Sequence, residues 1–190
     1  MGPSAPRFKR TVAALLAAVW FSAPLAAQQA GDEREADLLR QLAEAESPHA
    51  AALIDTELKA LWSRSGSPAI DLLLRRGQDA LEAGTPDVAI EHLTAAIDHD
   101  AAFAEAYAAR ATAYYLTNRF GPALDDLRQA LVLNPNHYEA LQGFAVLLEE
   151  MGREEDALEV WRRVHEMHPQ NPGATAAVDR LELSLRGRTL

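Results

Sequence analysis

Apolar residues along this chain recur at steps of three and four, and that spacing predicts a succession of helices. From Ala36 onward, Leu38, Leu39, Leu42 and Ala43, then Ala45, keep helical phase. Ser47-Pro48 combines a capping side chain with proline at the first helical position. The helix it opens carries Ala51, Ile54, Leu58, Leu61 and Trp62 on its buried face and ends near Gly66. Ser67-Pro68 opens a third helix, which runs to about Ala83 and is stopped by Gly84 in a left-handed conformation. Thr85-Pro86 caps the next, which reaches about His99. Further helices are expected near 102–117, 122–133, 136–151 and 154–167, with turns at Asn118, at Gly152 and at the Gly121-Pro122 restart. Beyond Pro169 and Pro172, a last helix carries Ala174, Val178, Leu181 and Leu185 along one stripe. Asp179, Arg180, Glu182 and Arg186 face elsewhere, as a solvated end cap requires.

Six of these helices repeat with a period of 34 residues. Ala89 falls on Ala123 and Ala157, Leu93 on Leu127 and Trp161, and Gly77 on Ala111 and Ala145. Gly84, Asn118 and Gly152 coincide, as do Ala101, Pro135 and Pro169. Such a period means stacked helical units rather than one wrapped core. Small residues at the shared positions let paired helices approach. Tyr107, Tyr114, Leu127 and Trp161 fill the space between units. The first pair does not keep the register: Asp55, Lys59 and Trp62 stand where Ala89, Leu93 and Ala96 would project. It reads as a divergent capping pair.

Composition narrows the function. Of 18 basic and 28 acidic side chains, only Arg7, Lys9 and Arg10 fall in the first 27 residues, leaving 15 against 28 in the body. A body that acidic is repelled by nucleic acid and by anionic membrane surfaces. There is no cysteine, which removes disulfides, thiol catalysis and cysteine metal sites. The basic start, the apolar run Thr11–Ala26 and the small residues closing Pro24-Leu25-Ala26-Ala27 read as a signal peptide over 1–27. Cleavage is expected after Ala27, the lesser alternative being a retained membrane anchor. Residues 28–35 are polar and read as a flexible leader. The mature protein is then expected to be periplasmic and free of the membrane.

The repeat pattern resembles the tetratricopeptide repeat family: a large residue, a small pair, an aromatic, then Ala, a large residue, Ala and a closing Pro. AEAYAARATAYYLTNRFGPALDDLRQALVLNPN matches best, and HYEALQGFAVLLEEMGREEDALEVWRRVHEMHPQN is close. In the first unit, Asp98-His99-Asp100-Ala101 replaces the usual Asn/Asp-Pro. The resemblance implies an all-α, right-handed α-solenoid of three helix pairs (about 70–103, 104–137 and 138–171, within 67–171). The divergent pair would occupy 36–66 and a capping helix 172–187. It further implies a concave groove lined by the first helix of each pair. Asp71, Leu74, Gln78 and Glu82 fall there in the first unit. Glu105, Ala108, Thr112 and Tyr115 follow in the second, and Glu139, Gln142, Val146 and Glu149 in the third. Family members that clamp the carboxylate tail of cytosolic chaperones use Lys, Arg and Asn in this groove. The matching positions here hold five carboxylates and no base, which disfavours such a ligand. A basic or neutral peptide segment suits it better, with Tyr115 offering a face for stacking or cation–π contact.

Chemistry finds little support. His165 and His168 stand one residue too close for the His-Glu-x-x-His zinc spacing, and His99 lies in a polar turn. There is no phosphate-binding glycine loop and no Gly-x-Ser-x-Gly elbow. Adjacent carboxylates such as Asp125-Asp126 and Glu149-Glu150 point different ways on a helix. The expectation is a non-catalytic adaptor or assembly factor without cofactor or metal. The alternatives are a scaffold subunit using its convex face or the Trp62 region and, remotely, a metal-binding protein. Nothing in the pattern sets an oligomeric state.

Overall fold

The computed structural model describes residues 31–188; the expected signal segment and residues 28–30 of the expected leader lie outside them. The described chain is all helical. After α1 (31–43) come α2 (Pro48–Trp62), α3 (Pro68–Glu82), α4 (Pro86–His99), α5 (Ala104–Leu116), α6 (Phe120–Leu133), α7 (Tyr138–Glu150), α8 (Glu154–Met167) and α9 (Pro172–Arg188). Residues 31–35, expected in the leader, are already helical. Glu35 accepts hydrogen bonds from Trp62 Nε1 (2.9 Å) and Asn134 Nδ2 (2.8 Å), which fixes this stretch in place.

Three hairpins, α3–α4, α5–α6 and α7–α8, turn in the same way because the same orphan groups must be satisfied at each helix end. Gly84, Asn118 and Gly152 hold φ of 69°, 58° and 72°. The following amide reaches back five residues in every case: Thr85 to Ala80, Arg119 to Tyr114 and Arg153 to Leu148, at 2.8–2.9 Å. Between hairpins, Asp100, Asn134 and His168 donate their amides to Ala96, Ala130 and Val164. The first unit makes the same turn without the proline of the other two. Asp100 Oδ1 accepts from Ala102 N at 3.0 Å, just as Asn134 Oδ1 accepts from Asn136 N at 2.9 Å.

The stack is bound by the small-to-large pairing. A Cβ on Gly77 would stand 2.5 Å from Leu93 Cγ, so α3 and α4 touch at the glycine. Ala89, Ala96, Ala123, Ala130, Ala145 and Ala157 are fully buried. Leu74, assigned above to the groove, is instead fully buried in the core of the first hairpin. Across the second hairpin, Arg110 holds Asp126 in a two-pronged ion pair (2.7 and 2.8 Å) and also donates to Thr94 Oγ1 of α4. The Asp126 carboxylate raises the Arg110 pKa against the opposing effect of burial. At the far end Ala174, Ala177 and Leu181 of α9 close over Trp161 and Val164. Its polar face does more than meet water: Arg180 pairs with Glu149 and Glu182 with Arg162.

The α1–α2 pair departs from a simple cap. Leu38, Leu42, Ala51, Leu58 and Trp62 share their core with Tyr138 and Met167 of the third hairpin, and no residue of the first hairpin joins them. The three residues that break the 34-residue register make this docking. Asp55 accepts from the Tyr138 hydroxyl, Lys59 pairs with Glu139 at 2.9 Å, and Trp62 stacks on His137 at 4.6 Å between centroids. Gln170 donates to Ala45 O at the other end of the pair. A carboxylate, an ammonium and an indole cannot nest where two alanines and a leucine do, so the pair goes where they find partners.

Candidate functional site

The first helices of the hairpins, α3, α5 and α7, border a concave slot of about 430 Å3. Helical spacing on α5 puts Glu105, Ala108, Thr112 and Tyr115 in one row along it. The floor is apolar, made by Ala108, Ala111, Val146 and Leu147 with Gly143 and Leu127. Gly143 keeps the floor low, since a Cβ there would already stand 3.1 Å from Leu127 Cδ2. Tyr115 marks one end, packed 5.7 Å from Phe120, and Phe120 and Leu116 beside it are exposed.

Glu105, His137 and Glu139 form the opposite end. His137 is almost wholly buried. Its Nδ1 accepts the Ala140 amide at 3.2 Å as the cap of α7, which places the ring proton on Nε2. That Nε2–H donates to Glu105 at 2.9 Å, while Gln78 Nε2 donates to the other carboxylate oxygen at 3.3 Å. Glu139 faces Lys59 of α2. Burial lowers the pKa of the Lys59 ammonium, but Glu139 and Asp55 more than offset it and the net shift is upward.

Six of the nine polar groove residues expected from the repeat register therefore line the slot, Gln78, Glu105, Thr112, Tyr115, Glu139 and Gln142, together with the expected Ala108 and Val146. The other three do not. Asp71 accepts from the amide and hydroxyl of Ser65 and ties down the α2–α3 linker. Glu149 turns toward α8 and α9, taking the Trp161 indole N–H at 2.7 Å and Arg180 at 2.7 Å. Glu82 is exposed at the end of α3. The slot is thus less acidic than five carboxylates imply, with two at one end and an apolar middle. His137 escaped sequence reasoning, although the register held a signal. One period earlier the same position is Phe103, buried in the core, so a histidine there must be buried too and needs partners.

Trp62, considered above as a contact surface, is buried against His137 and Glu35. The histidines do not converge. His165 meets Thr175, and His168 is buried edge-on to Tyr138 with Nδ1 unpartnered. Among the described residues no three His, Cys, Asp or Glu side chains are placed to hold a metal ion. Among the same residues no helix is long and apolar enough to cross a membrane.

Residues 104–137, the α5–α6 hairpin and the turn after it, match the family model described as tetratricopeptide repeat. A tetratricopeptide-repeat-containing protein of Rhizobium etli is 29% identical over 82% of this chain and 76% of its own length. Among solved structures, the first such domain of Spaghetti (RPAP3), bound to the HSP90 peptide SRMEEVD, is similar with a TM-score of 0.60 and 26% identity. That match covers 63% of this chain and 95% of the other. The second such domain of human RPAP3, in complex with the HSP70 peptide SGPTIEEVD, has a TM-score of 0.53 and 26% identity, covering 57% and 90%.

Proposed function

We propose that this chain, a member of the tetratricopeptide-repeat family, is a non-catalytic protein-binding module that holds an extended peptide segment of its partner in the α3–α5–α7 slot. The observation that carries this is a slot of about 430 Å3 whose apolar floor is bordered by a few polar side chains, Gln78, Glu105, Thr112, Glu139 and Gln142 among them. Side-chain pockets with a few placed polar groups are how such sites orient a ligand. The similar domains named above bind peptides, which supports the same use here. Their peptides are acidic, and this slot carries Glu105 and Glu139 with no lysine or arginine in its lining. The segment bound here is therefore neutral or basic. With the signal-like N-terminus, the module acts as an adaptor or assembly factor in the bacterial periplasm.

Thr112 is exposed on the slot's rim, so Thr112→Trp fills the slot without entering the core. An array of immobilised peptides probed with the parent and with this variant tests the reading. Peptides held by the parent are expected to be released by the variant. If the same peptides stay bound, the slot is idle and a scaffold role through the convex face takes its place.

A further inference from the structure

A lysine from outside the repeats pairs with a carboxylate of the slot's lining. Lys59 extends from α2 to the rim, with Nζ 2.9 Å from Glu139 and 3.1 Å from Asp55. Asp55 also takes the Tyr138 hydroxyl. The Glu105 partners, Gln78 and the Nε2–H of His137, are neutral donors that solvate its charge without cancelling it. Three carboxylates thus meet one cation at this end, next to an apolar floor. Glu105 and Tyr115 stand ten residues apart on α5, which at 1.5 Å per residue makes the slot about 15 Å long. That is room for about four or five extended residues.

We propose that Lys59 competes for Glu139 with the cation of the slot's ligand, a peptide that directs Lys or Arg at Glu105 and Glu139 and lays a neighbouring aliphatic side chain on Ala108, Ala111, Val146 and Leu147. This rests on the peptide-binding reading above and gives the divergent pair a part in it. Without Lys59, Glu139 would face a ligand cation unshared. With Lys59 present, the ligand must divide Glu139 with it or displace it, so α2 sets how strongly the slot selects basic segments. Lys59 is half exposed, and the apolar core of Leu58, Trp62, Tyr138 and Met167 carries most of the docking to which its ion pair adds, so its loss leaves the fold intact.

The test uses three fluorescent nine-residue peptides of one alternating Leu-Ser sequence with Lys, Gln or Glu at the centre. Each is titrated into the full chain, into Lys59→Met (which keeps the apolar stem) and into Thr112→Trp, with anisotropy as the readout. The parent is expected to bind the Lys peptide most tightly and the Glu peptide least. Lys59→Met should tighten the Lys peptide about fivefold and move the Gln peptide less than about twofold, with the gap narrowing at high salt. A purely structural lysine would alter the melting curve or all three affinities together, not the Lys-to-Gln ratio. If the ratio is the same in parent and Lys59→Met while Thr112→Trp abolishes binding, the competitor role is overturned and the slot stands. If binding survives Thr112→Trp, or no peptide binds, both readings fall.

Discussion

Gly77 and Gly143 sit in helices and would each gain helix propensity as alanine, by about 1 kcal/mol, yet they should respond with opposite sign. At Gly77 the new methyl meets Leu93 Cγ at 2.5 Å, the branch point of a fully buried side chain that has nowhere to move. At Gly143 it meets the tip of Leu127, Cδ2, at 3.1 Å, which can rotate a few tenths of an ångström. Urea unfolding should show Gly77→Ala destabilised by about 1–3 kcal/mol and Gly143→Ala level or slightly more stable. Equal losses at both would contradict the packing described. His168 offers a second test at this scale. Burial lowers its pKa below 6.5, assisted by Lys59 and opposed by Asp55, and its Nδ1 has no partner. The unfolded chain therefore binds the proton more readily, so its contribution to stability is complete above pH 6.5 and is lost as pH falls below that. Stability measured from pH 7.5 to 5 should fall less steeply in His168→Phe than in the parent. The spacing of His165 and His168 gives no sign of this, because Tyr138, which packs against His168, lies thirty residues away in sequence.

Among the elements, the hairpins are held by two kinds of contact that fail differently. The alanine seams are local and tolerate loss of a polar neighbour. The Arg110–Asp126 pair is not so tolerant, because it joins α5 to α6 with both side chains largely buried (15% and 8% exposed). Asp126→Ala would leave a guanidinium between Tyr107 and Tyr114 with only Thr94 as a side-chain hydrogen-bond partner. A loss of about 3–5 kcal/mol is expected on thermal or urea unfolding. Replacing both partners together, Arg110→Met with Asp126→Leu, should recover much of it, and a double-mutant cycle checks the coupling. Helix ends were the most legible part of the sequence, since Pro48, Pro68 and Pro86 each start a helix and Gly84, Asn118 and Gly152 each follow one. The start of α6 was misplaced by two residues. Gly121-Pro122 looks like a boundary, but proline fits the first turn of a helix that Arg119 already caps.

For the molecule as a whole, α1–α2 packs on the third hairpin rather than on the hairpin it precedes. A cap stacked on α3 would protect the first repeat. Here its removal should expose Tyr138 and Met167 instead. Deleting residues 31–66 is therefore expected to raise hydrogen exchange most at the start of α7 and the end of α8, with α3 and α4 less affected. The reverse pattern would rule out the docking described. The same docking explains why the candidate site was only partly readable. A common register predicts which residues share a face, and Gln78, Thr112, Tyr115 and Gln142 were found that way. It says nothing of what each face meets, and Asp71 meets the linker while Glu149 meets α8 and α9.

What the chain carries in its sequence alone is the run of helices, their pairing and the small-residue seams. Each depends on neighbours within one 34-residue period: a left-handed turn residue, a proline at a helix start, an alanine opposite a leucine. Only the tertiary structure decided where the irregular pair settles and how much charge the slot keeps. Those outcomes rest on contacts such as Asp55 with Tyr138 and Glu35 with Asn134, 83 and 99 positions apart. Broken periodicity at Asp55, Lys59 and Trp62 reveals that these side chains cannot join the stack in register. Which distant groups satisfy them depends on the curvature of the whole stack, which no local pattern encodes.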